Sequence, residues 1–300
     1  MKKIFFSITI VLMVSCLKPP RDNEFDPNNP DKAYLSGRTY CPEGPLSTIV
    51  NLIKSDTIIY LTDTSGGSGF YEFKKIDPGI YKILARAPYY KPVEIYPESL
   101  PAGTENDTFD IYLCEMYFNF DDEAVGTQEP FGFIRKTGNW QVVEDNQEPG
   151  KHTVPNVYNC DDSLGVALFN KPVANFYLSA IFKISVMTMP YWKTGFLLRY
   201  QNENNYYVIS IDSANMALLK IINGTPQMPP IGVVAYSFSK DTWYYLEADV
   251  YDNHFRIKLN YEEMIVADDN TFSEGSVGFW VFNNPGHHTS VDFDDFDICR

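Results

Sequence analysis

The chain has 300 residues, 44% of them apolar, with 21 Tyr, 21 Phe and 20 Pro. This composition points to about two domains built of strands and turns rather than long helices. The formal charge is −15 and no Lys/Arg block follows the first residues, which argues against nucleic acid as a partner and against charge-driven docking on anionic lipid.

Met1-Lys2-Lys3 supplies a positive start, and Ile4 to Val14 is an apolar run too short to span a bilayer but suited to a secretory signal. It ends in Met13-Val14-Ser15-Cys16, which resembles a bacterial lipobox with Met in place of the usual Leu. The resemblance implies that residues 1–16 are a signal peptide with an acylated Cys16, so that the chain is exported and lipid-anchored to the cell envelope. Leu17 in place of Asp would favour the outer membrane. An ordinary cleaved signal and a short buried strand are the alternatives. Residues 17–33, rich in Pro, Asn and Asp, read as a flexible tether.

Residues 34–116 alternate apolar and polar side chains around small-residue turns, as strands do. Phe70-Tyr71-Glu72-Phe73, then Pro78-Gly79-Ile80-Tyr81, resembles the carboxypeptidase-regulatory-like (transthyretin-like) β-sandwich, through Gly69, Tyr71, Phe73, Pro78, Gly79 and Tyr81. Pro78-Gly79 reads as a type II turn with Gly79 at positive φ. Such modules act as spacers or adhesion units.

Residues 117–300 repeat the same two-residue period. Phe176, Leu178, Ala180, Phe182 and Ile184 fall on one face of their strand, as do Tyr244, Leu246, Ala248 and Val250 of theirs. Trp243, Tyr245, Glu247, Asp249 and Tyr251 take the opposite face. FNFDDEAVGTQEP, GNW, GFLLRYQNENNYYVI, DTWYYLEADV, SEGSVGFWV and VDFDDFDI occur in that order. Together they resemble the concanavalin A-like (laminin-G-like) jelly roll of glucanase-related and carbohydrate-binding domains. The fold expected is therefore all-β, a small sandwich followed by a jelly roll whose first and last strands, near Phe118–Asp122 and Val291–Ile298, are neighbours.

Four cysteines remain besides Cys16. An oxidising compartment would favour bridges, and Cys41–Cys114 with Cys160–Cys299 would place one in each domain. Four buried thiols are the alternative.

No G-x-S-x-G elbow, C-x-x-C, H-E-x-x-H or P-loop is present. The adjacent pair His287-His288 would point opposite ways on an extended chain, which disfavours a shared metal. Glu247 and Asp249 lie about 7 Å apart on one strand face, the one carboxylate pair suited to glycoside hydrolysis; an ordinary solvated face is the rival reading. Asp121, Asp122, Asp294 and Asp295 would concentrate negative charge where the terminal strands meet, and a structural calcium ion would relieve it; exposed edge charges that discourage edge-to-edge pairing are the alternative.

Glycan recognition needs aromatic faces and planar polar groups. Alternation places Phe196, Leu198 and Tyr200 on one face and Leu197 and Arg199 on the other, so Arg199, Gln201, Asn202, Asn205 and Tyr206 form the candidate ligand surface, with Trp192 and Trp280 as stacking partners. An Asn-rich turn kept for backbone reasons is the competing reading. The expected role is glycan binding by a surface lipoprotein, with a glycoside hydrolase or a protein-binding adhesin as alternatives.

Overall fold

The computed structural model describes residues 31–42, 44–54, 58–96, 99–102, 107–145, 156–187, 192–283 and 289–299. Cys16, the tether up to residue 30, His152 and His287-His288 lie outside the described residues. The chain divides into two compact units: one holds the residues through Ala87 together with Pro92–Tyr112, the other Pro88–Lys91 with Leu113–Arg300. Both are all-β. The one helical piece among the described residues is the short 3-10 turn Gly66–Ser68.

In the first unit, Ala33–Cys41 pairs with Phe70–Ile76 and with the short pieces Gly44–Pro45, Asp107–Thr108 and Ile111–Tyr112. The second sheet runs Ile58–Thr64, Ile49–Lys54, Tyr81–Arg86, Val93–Ile95. Leu35, Tyr71 and Phe73 of the one and Val50, Leu52, Tyr81 and Ile83 of the other are buried, as alternation requires. Tyr71 and Tyr81 also satisfy their hydroxyls, donating to Phe109 O at 2.6 Å and Asp77 O at 2.7 Å. Gly79 departs from expectation. It is not among the glycines at positive φ; instead it makes a bridge to Leu100, with N–H···O bonds of 3.0 and 2.8 Å in the two directions. The pairing partner, rather than the Pro-Gly dipeptide, sets the chain direction here.

The second unit is a sandwich of two large sheets with jelly-roll connectivity. One, called here the terminal sheet, runs Trp140–Glu144, Asn156–Asp162, Thr289–Cys299, Phe176–Met187, Trp243–Tyr251, His254–Leu259, Glu262–Asp268. Glu115–Phe118 shares an edge of Thr289–Cys299 with Asn156–Asp162, so first and last strands are neighbours, with Phe118 opposite Phe296. The other, the middle sheet, runs Phe133–Thr137, Leu164–Phe169, Ser276–Asn283, Trp192–Asn202, Asn205–Ile211, Asn215–Ile222, Thr225–Pro226. Between them lies a core rich in aromatic rings, in which Phe279 of the middle sheet stacks on Phe293 of the terminal sheet at 4.3 Å. Each such buried side chain contributes about 1.5–3 kcal/mol.

Strict alternation fails on the last strand, and the reason is a bulge. Its pairing with Phe176–Met187 shifts between Ser179 and Ile181, and Asp295 stands at φ 47. One extra residue on a strand reverses the phase beyond it. Phe293 and Phe296, three apart, both enter the core, while Asp292, Asp294 and Asp297 are left on the outer side.

The expected bridges are absent. Cys41, Cys114 and Cys160 are free thiols, so Cys41–Cys114 is not formed. Cys160 lies opposite Val291, and Cys299 is eight residues farther along that strand, about 26 Å away at the rise of an extended chain. A bridge spans under 7 Å between Cα atoms, which rules out Cys160–Cys299. Burial pushes the Cys160 thiol well above the ordinary thiol range, so it is an inert core group.

Candidate functional site

Arg199 is not a surface residue. Pairing of its strand is irregular on both sides, between Leu197 and Tyr200 toward Ser276–Asn283 and between Leu198 and Asn202 toward Asn205–Ile211. Arg199 itself adopts φ 48. Leu198 stays in the core, Tyr200 swings to the outer face beside Tyr206 (rings 5.6 Å apart), and Arg199 is 0% exposed. Its Nε and Nη2 donate to Ala174 O at 3.1 and 2.7 Å, its Nη1 to Phe272 O at 2.9 Å, and its guanidinium lies 5.5 Å from the Phe255 ring centroid. Gly275 permits the kink, since a Cβ there would sit 2.5 Å from the Arg199 carbonyl carbon. Burial draws the Arg199 pKa down from the ordinary arginine value. Three of the five N–H donors of the fork hold these two loop carbonyls, and Arg199 forms part of the wall of an open recess of 500 Å³ with Ala174, Asp252 and Phe272.

The other members of the expected surface also serve structure. Asn202 Oδ1 accepts from Asn204 N and Asn205 Nδ2, both at 3.0 Å, Asn205 Oδ1 accepts from Asn223 N at 3.2 Å, and Gln201 Nε2 donates to Glu274 O. These three amides edge a shallow recess of 380 Å³ with Thr271 and Ser273; Asn202 and Asn205 order the turn itself, and Gln201 reaches across to Glu274. Trp192 belongs to the core. Trp280 lies on the outer face of the middle sheet at 8% exposure, stacked on Phe282 at 5.7 Å among Leu168, Leu197 and Val208. Tyr206 is in that same apolar cluster.

Glu247 and Asp249 share the outer face of the terminal sheet, as alternation places them. Glu247 is buried, accepting from Tyr177 Oη at 2.7 Å with Lys258 Nζ at 3.8 Å, whereas Asp249 is exposed. Neither lines a recess described here. At the acidic residues named for calcium, no three acidic, His or Cys side chains converge among the described residues. Asp295 is engaged by the Tyr117 hydroxyl at 2.5 Å, and Asp122 is exposed. Burial, with Asp295 and Asp121 adding, pushes the Asp294 pKa up to about 9, and burial with Asp295 and Asp122 pushes Asp121 up to about 6. A proton held on Asp294 removes one of the negative charges gathered here.

The residues that do converge are on that same outer face, in an open recess of 720 Å³ whose lining includes Trp243, Tyr245, Tyr261, Tyr117, Asp295 and Asp297, together with Lys91 and Asn260. Strand alternation sends Trp243 and Tyr245 outward. The adjoining hairpin tip, Asn260 and Tyr261 at φ 49 and 70, has the two positive-φ residues of a type I′ turn. It sets Tyr261, 77% exposed, 4.8 Å from Tyr245. Asn260 ties the tip to its neighbour: its Oδ1 accepts from Tyr245 N at 3.0 Å and its own N donates to Tyr245 O at 2.7 Å.

Beneath Trp243 lies the buried Lys183, its Nζ 4.7 Å from the ring centroid, held by Asp145 at 2.9 Å and Asp292 at 3.3 Å. This fixes the indole from below by a cation–π contact. Lys91 Nζ meets Asp297 Oδ2 at 2.6 Å and lies 5.5 Å from the Tyr117 ring centroid. Burial and the neighbouring Asp295 raise the Tyr117 pKa, keeping its hydroxyl a neutral donor. The result is a set of aromatic faces beside carboxylates, an ammonium and an amide, in a volume within the roughly 300–1,000 Å³ usual for ligand sites. Sequence reading put Trp243 and Tyr245 on the outer face but did not join them to Tyr117, Tyr261 and Lys91, which come from distant segments. The local signal was two outward aromatics on one strand next to a hairpin tip bearing a third.

No protein-family model matches the sequence, and no curated protein does. Solved structures similar to part of the chain include the carbohydrate binding module CBM66 from Bacillus subtilis, at 17% identity over 56% of this chain and 96% of that one, TM-score 0.45. Another is the Bacillus licheniformis beta-glucanase, at 10% identity over 62% and 98%, TM-score 0.45. A third is a Bacillus subtilis protein of unknown function with a galectin-like fold, at 12% identity over 61% and 98%, TM-score 0.42. At identities this low a similar fold assigns neither ligand nor chemistry.

Proposed function

We propose that the protein binds a glycan non-covalently through the recess on the outer face of the terminal sheet. The observation that carries this reading is the convergence of Trp243, Tyr245, Tyr261 and Tyr117 with Asp295, Asp297 and Lys91 in one open recess. Aromatic faces cover the apolar side of a sugar ring, and carboxylate and amide groups bind its hydroxyls. The first unit serves as a transthyretin-like spacer. Acylation at Cys16 holds the whole at the cell envelope, in the outer membrane.

A glycan array probed with the full chain, Trp243→Ala and Tyr261→Ala tests the reading. Both substitutions should abolish or weaken at least tenfold any hit. A hit that survives both, or silence across the array, would sink it. For the anchor, labelling with a palmitate analogue should mark the native protein and leave Cys16→Ala unlabelled; equal labelling of the two would refute the lipidation site.

A further inference from the structure

The recess has a neighbour. Tyr117 also lines a second one, of 520 Å³, formed with Tyr89, Tyr90, Phe131, Phe118, Asp122 and Glu123 among others. There Tyr89 and Phe131 stack face to face, centroids 3.4 Å apart at 11°, yet both remain close to half exposed. Tyr117 is held rigidly as the shared wall: its N donates to Tyr89 O at 3.0 Å and its hydroxyl to Asp295. An exposed aromatic stack adds little to a core, but beside a first aromatic recess it continues the same kind of surface.

Both recesses are acidic. Asp295 and Asp297 line the first, Asp122 and Glu123 the second, and Lys91 is the one cation among the described residues lining either. Lys91 and Asp297 neutralise each other, which leaves Asp295, Asp122 and Glu123 as the excess negative charge. Carboxylates in such a setting repel an anionic ligand and accept hydroxyl or ammonium donors.

We infer that the ligand is an oligosaccharide chain lying across both recesses, with Tyr117 between them, and that its sugars are uncharged or amine-bearing rather than uronic acids. This rests on the glycan reading and deepens it.

Titration calorimetry of the full chain tests it, using cello-, xylo- and chito-oligosaccharides of two and six units alongside hexagalacturonate. At least one neutral hexamer should bind ten or more times tighter than its dimer. Phe131→Ala, an exposed position, should remove that advantage while leaving dimer affinity unchanged. Hexagalacturonate should bind at least tenfold more weakly than that hexamer, and Asp295→Asn should narrow the gap. Equal affinities for dimer and hexamer, or no effect of Phe131→Ala while Trp243→Ala still abolishes binding, overturns the two-recess ligand and spares the glycan reading. Hexagalacturonate as the tightest ligand overturns the charge assignment alone. No binding by any of these sugars counts against the inference and the glycan reading together.

Discussion

The two sheets of the second unit send nearly the same inward pattern into one core, yet their outer faces differ completely. Outside the middle sheet lie Leu197, Val208, Ile221 and Trp280, with the amide-rich turn at its end folded on itself. Outside the terminal sheet, Asp292, Asp294, Asp297, Lys183 and Glu247 are buried among Tyr and Trp side chains. The contrast teaches that polar residues in a sequence need not mark a polar site. Arg199 and its amides hydrogen-bond to backbone and to one another, whereas the terminal sheet keeps rings and carboxylates turned toward a common space.

Arg199→Leu should break the comparison most forcefully. It leaves Ala174 O and Phe272 O without their donors, so about 3 kcal/mol or more should be lost. For a unit of this size that is a drop of roughly 6–12 °C in Tm, read by calorimetry, with glycan affinity of the folded fraction unchanged. An exposed ligand contact would give the reverse pattern. Trp243→Ala and Tyr261→Ala come next: affinity should fall about tenfold or more, near 1.4 kcal/mol. Tyr261→Ala should leave Tm within about 1 °C, because this side chain is exposed on a hairpin tip.

A further effect concerns pH. Asp294 has its folded pKa raised from the ordinary aspartate value of 3.8 to about 9, so the folded chain keeps a proton the unfolded chain releases. Its contribution is full below the unfolded value and is lost as pH rises through the folded one. Wild-type stability should therefore decline across this window, and Asp294→Asn should flatten the decline, with its gain in Tm larger at pH 9 than at pH 4. A parallel pair of Tm–pH curves would refute the assignment. Smallest of all, Asn202→Ala, on an exposed turn, should cost at most about 1 kcal/mol and leave binding untouched. Lost affinity in that variant would move the site back to the middle sheet.

Much of the fold was legible along the chain. Phe176 to Ile184, Tyr244 to Val250 and Phe255 to Leu259 bury the residues that period-two counting selects. Counting failed at Arg199 and at Asp295, and at Gly79 turn chemistry gave way to pairing with Leu100. The disulfide expectation failed for a related reason: spacing in sequence carries no information about register, and register put Cys160 opposite Val291. The recess was only half visible, as Trp243 and Tyr245 on one strand.

By itself the sequence determined the all-β class, the inward faces and the outward placement of Trp243, Tyr245 and Glu247, because strand alternation is a local property of the backbone. Tertiary structure alone decided where that alternation slips. A bulge is fixed by the hydrogen bonds of neighbouring strands, and each one re-aims every side chain beyond it. For the same reason, the meeting of Lys91, Tyr117, Tyr261 and Asp297 depends on pairings between segments far apart in the chain, and no local pattern encodes it.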